Sequence, residues 1–116
     1  MRKMKITELD KMAQDASELL LAMANPKRLM ILCHLLEGEV SVNELAAIVD
    51  LSQSALSQQL AKLRALKLVA TRRSGQTIFY RLASPEVERV LTTLHGIYCE
   101  PGRRAPGAAD REALTA

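Results

Sequence analysis

A chain of 116 residues suits one domain, and with 3 % aromatic residues and no Trp its core must be built from Leu, Ile, Val, Ala and Met. That favours packed helices over a β-sandwich, whose strands are richer in aromatic and β-branched side chains. The net charge of +3 is unevenly spread: residues 51–85 carry six basic groups and no acidic one, against six and eight in 1–50 and four and five in 86–116, which implies a polyanionic partner for the one-sign segment.

Apolar residues at Leu9, Met12, Ala13, Ala16, Leu19, Leu20 and Met23 have helical spacing and predict a first helix over Thr7 to Ala24. Asn25-Pro26 ends it and opens a second, with Asn as N-cap and Pro at the first position; Gly38 closes that helix after about Glu37. Ser41-Val-Asn-Glu44 is a capping box, so a short third helix runs from Ser41 to about Asp50. Ser52 caps a fourth, to about Leu66. Val69 to Arg73 and Gln76 to Leu82 are strand-like, with Ser74-Gly75 as the turn of a β-hairpin. Ser84-Pro85-Glu86 caps a fifth helix to about Tyr98, and Pro101-Gly102 breaks it. Residues 100–116 are rich in Gly, Pro, Ala and Arg without an apolar stripe, and are expected to be a disordered tail. The chain shows no internal repeat.

The order α-α-α-α-β-β-α, with a very tight turn between helices three and four, predicts a mainly α, dimeric winged helix-turn-helix over residues 1–99, the hairpin being the wing. On a helical wheel Leu56, Leu60 and Leu63 of the fourth helix face the core, while Ser54, Ser57, Gln58 and Ala61 share the opposite face. A short polar face of this kind fits a major groove about 12 Å wide, where Gln pairs with adenine and Ser contacts base edges or phosphates. Gln53, Ser54, Ser57, Gln58 and Gln59 are therefore candidate DNA contacts. Lys62, Arg64 and Lys67 suit phosphates, and Arg72 and Arg73 near the wing tip reach backbone or an adjacent minor groove. The expected partner is double-stranded DNA, and an acidic side chain on this surface would repel phosphate, which accounts for the lack of Asp and Glu in the segment.

No apolar h-region follows the basic Met1 to Lys5, and the longest apolar run, Leu19 to Ala24, is too short for a bilayer. A cytoplasmic protein without a membrane partner is expected, its Cys33 and Cys99 resting reduced. Cys33 shares a wheel face with Leu29, Leu32 and Leu36 and by itself reads as a core cysteine. Cys99 lies off the Val87-Leu91-Leu94-Tyr98 stripe and is expected to be more accessible. A helix C-terminus gives its thiolate no dipole help, and Glu100 opposes one. His34 is placed on another side of its helix from Cys33, and His95 beside the last helix's stripe; both read as surface or packing residues. Enzyme function is not expected: the chain has no Cys-x-x-Cys, Gly-rich phosphate loop or Ser/His/Asp arrangement, and no cofactor is implied.

Three segments resemble the ArsR family of bacterial transcriptional repressors: Ala22 to Leu32, Leu51-Ser-Gln-Ser-Ala-Leu-Ser-Gln58, and Arg73-Ser-Gly-Gln76. The resemblance spans about residues 17–99 and implies a homodimer made by the first and last helices, with operator release on sensing. Metal-sensing members carry thiolates in the third helix or a His and carboxylate cluster on the last. Here the third helix reads Glu44-Leu-Ala-Ala-Ile-Val-Asp50 and the last offers His95, so no metal site is assigned. Ile31-Leu-Cys33 and Ile97-Tyr-Cys-Glu100 instead look like the two-cysteine subgroup. That likeness implies that Cys33 and Cys99 form an intrachain disulfide or polysulfide in response to persulfide or oxidants. The alternative is a zinc- or arsenite-responsive repressor of the same family. Gln59 stands where many members have His, a departure that bears on the operator sequence read.

Overall fold

The computed structural model describes residues 5–99. In chain order these form α1 (Ile6–Met23), α2 (Pro26–Leu36), β1 (Val40–Ser41), α3 (Val42–Val49), α4 (Gln53–Ala65), β2 (Val69–Ser74), β3 (Thr77–Leu82) and α5 (Pro85–Tyr98). The expected tail, 100–116, lies outside the described residues.

The helices α2 to α5 each start where the N-cap side-chain oxygen meets an orphan backbone N–H. Asn25 Oδ1 accepts from the amides of Lys27 (3.0 Å) and Arg28 (3.1 Å). The hydroxyls of Ser41, Ser52 and Ser84 accept from the amides of Glu44, Ala55 and Val87. The α3–α4 turn is three residues long, and Asp50 takes the left-handed conformation (φ 54°) that ends α3. Two cations in the first turn of α2 serve neighbouring helix ends: Lys27 Nζ donates to the Val49 carbonyl at 2.8 Å and Arg28 Nη1 to that of Ala22 at 2.9 Å.

The sheet departs from expectation twice. It has three antiparallel strands in the order β1-β3-β2, with Val40 opposite Tyr80 and Ser41 opposite Phe79. A two-residue strand has no alternation to read, so β1 was invisible as a pattern. The hairpin turn falls one residue later than predicted, at Gly75-Gln76, because Ser74 pairs with Thr77. Gly75, with φ +63°, supplies the left-handed residue that a two-residue hairpin loop needs.

Ile31, Leu32, Leu45, Val49, Leu56, Leu63 and Val87 are fully buried, so the core joins α2, α3, α4 and α5. α1 differs. Only Ala22 and Met23 at its C-terminal end are buried, while Leu9 (43 %) and Leu20 (54 %) of its apolar stripe are exposed. No single helix among the described residues is long and apolar enough to cross a membrane.

Candidate nucleic-acid interface and thiol groove

α4 takes the orientation its period dictates. Leu56, Leu60 and Leu63 enter the core, and Gln53, Ser54, Ser57, Gln58, Ala61 and Lys62 stand in solvent. Two contacts fix the start of this face: Gln53 Nε2 donates to Asn43 Oδ1 of α3 at 3.2 Å, and the hydroxyls of Ser52 and Ser54 lie 3.3 Å apart. Gln59 sits apart from the other candidates. It occupies the flank between polar face and core, is half-buried, and its Oε1 is buried with no hydrogen-bond partner among the described residues. Lys62 and Arg64 occupy the last turn, where cations also complement the helix dipole. Lys67 follows in a left-handed conformation, φ 61°.

α4 packs against β2, and a shallow groove runs between Ser57, Ala61 and Ala65 of α4 and Ile78 and Tyr80 of β3. Recognition face and wing thus form one continuous surface. Gln58, for which the sequence predicts a DNA contact, is exposed near the middle of that face. Gln58→Ala is expected to weaken operator binding by about 1–3 kcal/mol and to relax discrimination at one base pair. Fluorescence anisotropy on operators varied one base pair at a time would measure this, and an unchanged affinity and sequence preference would remove Gln58 from the interface.

The two wing arginines have different fates. Arg73 is exposed and makes no ion pair among the described residues. Arg72 Nη2 lies 2.6 Å from a Glu39 carboxylate oxygen, and its guanidinium stacks 4.7 Å from the Phe79 ring centroid. The segment without acidic residues in sequence is therefore not without them in space. Glu39 was missed because only the pairing of β1 with β3 carries it to the wing.

Cys33 and Cys99 are both free and both exposed. The expected core position of Cys33 is corrected: Ile31, Leu32 and Leu35 take the inner face of α2, turning Cys33 toward the last turns of α5. There α5 runs past its buried residues, Val87 and Leu91, and a groove of about 770 Å³ opens between the helices. Leu29, Leu36, Leu94 and Tyr98 give it apolar walls, and both cysteines line it. His34 and His95 line it too, so His34 does not sit apart from Cys33 as the wheel suggested. Among the described residues no three His, Cys, Asp or Glu side chains gather closely enough to hold a metal ion.

Desolvation in this groove pushes the Cys33 thiol above its ordinary range, aided by the neighbouring Cys99 and Glu37. The folded state therefore favours the protonated thiol. Its contribution to stability is present below the ordinary thiol range and is lost as pH rises through the raised value. In Cys99→Ser protein, alkylation of Cys33 at neutral pH is expected to be slower than that of free cysteine, with its rate–pH curve displaced to higher pH. A curve displaced to lower pH would contradict the desolvated setting.

Residues 25–71, from the cap of α2 through the helix-turn-helix into β2, match the family described as Bacterial regulatory protein, arsR family. The chain is 52 % identical over 97 residues to the transcriptional activator HlyU of Vibrio cholerae, covering 84 % of this chain and 90 % of that one. It is 45 % identical over 93 residues to the biofilm growth-associated repressor of Agrobacterium fabrum, covering 80 % of each. The solved structure of reduced HlyU from Vibrio cholerae superposes with a TM-score of 0.79, over 82 % of this chain and all of that one. With sequence and fold agreeing over nearly the whole length of these regulators, the chain belongs to the arsR family and is a DNA-binding transcription regulator rather than an enzyme.

Proposed function

We propose that the protein is a homodimeric, cytoplasmic repressor that holds operator DNA while Cys33 and Cys99 are reduced and releases it when they are joined. The observation that carries the switch is that two thiols 66 positions apart (99 − 33) line one apolar groove between α2 and α5. The chemistry balances with a persulfide donor. Sulfur transfer to one thiol leaves a cysteine persulfide and the donor's thiol. Attack by the second cysteine on the inner sulfur forms the disulfide and expels hydrogen sulfide. Two cysteine persulfides condensing in the same way give a trisulfide and hydrogen sulfide. A peroxide instead accepts two electrons and two protons from the thiols, forming water and the disulfide.

α2 packs against α3 and holds its C-terminal carbonyl through Lys27, so a bond that draws α2 toward α5 acts on the helix-turn-helix. Release follows if the two recognition helices no longer match half-sites about 34–36 Å apart. Of the two relatives, one is named an activator and the other a repressor. A DNA-bound dimer does either, according to whether its site blocks the polymerase or displaces another protein.

The test is binding of reduced protein to its own promoter DNA, followed by a persulfide donor, a peroxide or zinc in separate samples. Release by persulfide, with a mass gain that links Cys33 to Cys99, is the expected result. Binding that ignores persulfide and peroxide but responds to zinc would replace thiol switching with metal sensing.

A further inference from the structure

Arg72 spans all three strands of the sheet. It starts on β2, opposite Phe79 in the register, and its guanidinium lies over that ring on β3. Its Nε and Nη2 then donate to both oxygens of Glu39, the residue preceding β1: Nε at 3.2 and 3.1 Å, Nη2 at 2.6 Å. One edge of the guanidinium is filled by the carboxylate and one face by the ring. We propose that Glu39 withholds Arg72 from the phosphate backbone and makes it the positioning residue of the wing, leaving Arg73 as the wing's phosphate-contacting cation.

The inference rests on the reading of α4 and the wing as the DNA surface, and deepens it. A phosphate taking Arg72 would displace Glu39 and leave that carboxylate without its hydrogen-bonded partner beside the DNA, a like-charge contact that the more distant Arg81 only partly offsets. The hydrogen bond from Arg72 holds the Glu39 carboxyl below its ordinary range, so the pair is charged wherever the protein binds DNA. Arg73, on the neighbouring register position, points from the other side of the strand and carries no such partner among the described residues.

The experiment is the salt dependence of operator binding by the full chain and its Arg72→Gln, Arg73→Gln, Glu39→Gln and Glu39→Gln/Arg72→Gln variants. Arg73→Gln is expected to make the slope of log K against log salt shallower by about 0.9, the value for one phosphate contact. Arg72→Gln is expected to leave the slope unchanged and weaken binding about twofold to fivefold at every salt concentration. Glu39→Gln frees Arg72 and steepens the slope by about 0.9, and adding Arg72→Gln returns it to the wild-type value. A slope for Arg72→Gln as shallow as that of Arg73→Gln overturns the proposal, as does a wild-type slope for Glu39→Gln. Wild-type protein that binds the duplex without salt dependence removes the DNA surface itself, and the proposal with it.

Discussion

Cys33→Ser and Cys99→Ser proteins are expected to bind operator as the wild type does and to stay bound in a persulfide donor that weakens the wild-type complex about 5- to 150-fold, the usual span of an allosteric coupling. Neither cysteine lies on the α4 face or the wing, so the basal affinity of both variants is retained. What each loses is the link between α2 and α5. The variants also differ from one another. The Cys33 thiol is held protonated by its apolar surroundings and by Cys99 and Glu37, which makes it a slow first nucleophile at neutral pH. Cys99 caps the exposed end of α5, where a donor reaches it directly. Cys33→Ser protein is therefore expected to gain one sulfur at Cys99 and stop there, while Cys99→Ser protein gains sulfur slowly or not at all. Intact mass spectra beside the binding curves would show both effects. Release of both variants at wild-type donor concentrations would sink the switch, because no bond between the helices could then be its cause.

What the sequence makes legible is what short-range periodicity and capping encode. The recognition helix is the clear case: Leu56, Leu60 and Leu63 recur at helical spacing, Ser52 caps, and the opposite face emerges polar as expected. The failures arise where tertiary contacts choose among local options. A wheel puts Cys33 beside Leu29, Leu32 and Leu36, but it cannot say that α5 leaves one flank of α2 uncovered, and that flank is where Cys33 and His34 lie. Gln59 follows the same logic in reverse. Adjacent to two exposed polar residues in sequence, it is turned by 100° per residue onto the core flank. Glu39 carried no local signal at all. Its meeting with Arg72 depends on a strand of two residues and a separation of 33 positions.

Leu20→Arg is expected to convert the protein to a monomer and to lower operator affinity about a hundredfold to ten-thousandfold, the loss that follows when two linked half-site contacts become one. α1 is 18 residues long, yet buries only Ala22 and Met23. Helices owe most of their stability to an apolar face packed on something. Leu9, Met12 and Leu20 lie on such a face and are exposed, and Tyr98 at the far end of α5 is 52 % exposed. Large apolar side chains left exposed along one helix face are the mark of an association site. In the proposed homodimer a second copy occupies this face, since each α4 would read one of two half-sites. Arginine at position 20 would bury an unpaired charge in that interface, whereas in a monomer it would simply meet water. The substitution therefore acts on assembly and spares the core around Leu32 and Leu56. Sedimentation equilibrium gives the mass, anisotropy the affinity, and circular dichroism the helicity, which should fall as an unsupported α1 frays. A Leu20→Arg protein that remains dimeric, or one that is monomeric and still binds operator at full strength, would show that α1 is not the dimer surface on which recognition depends.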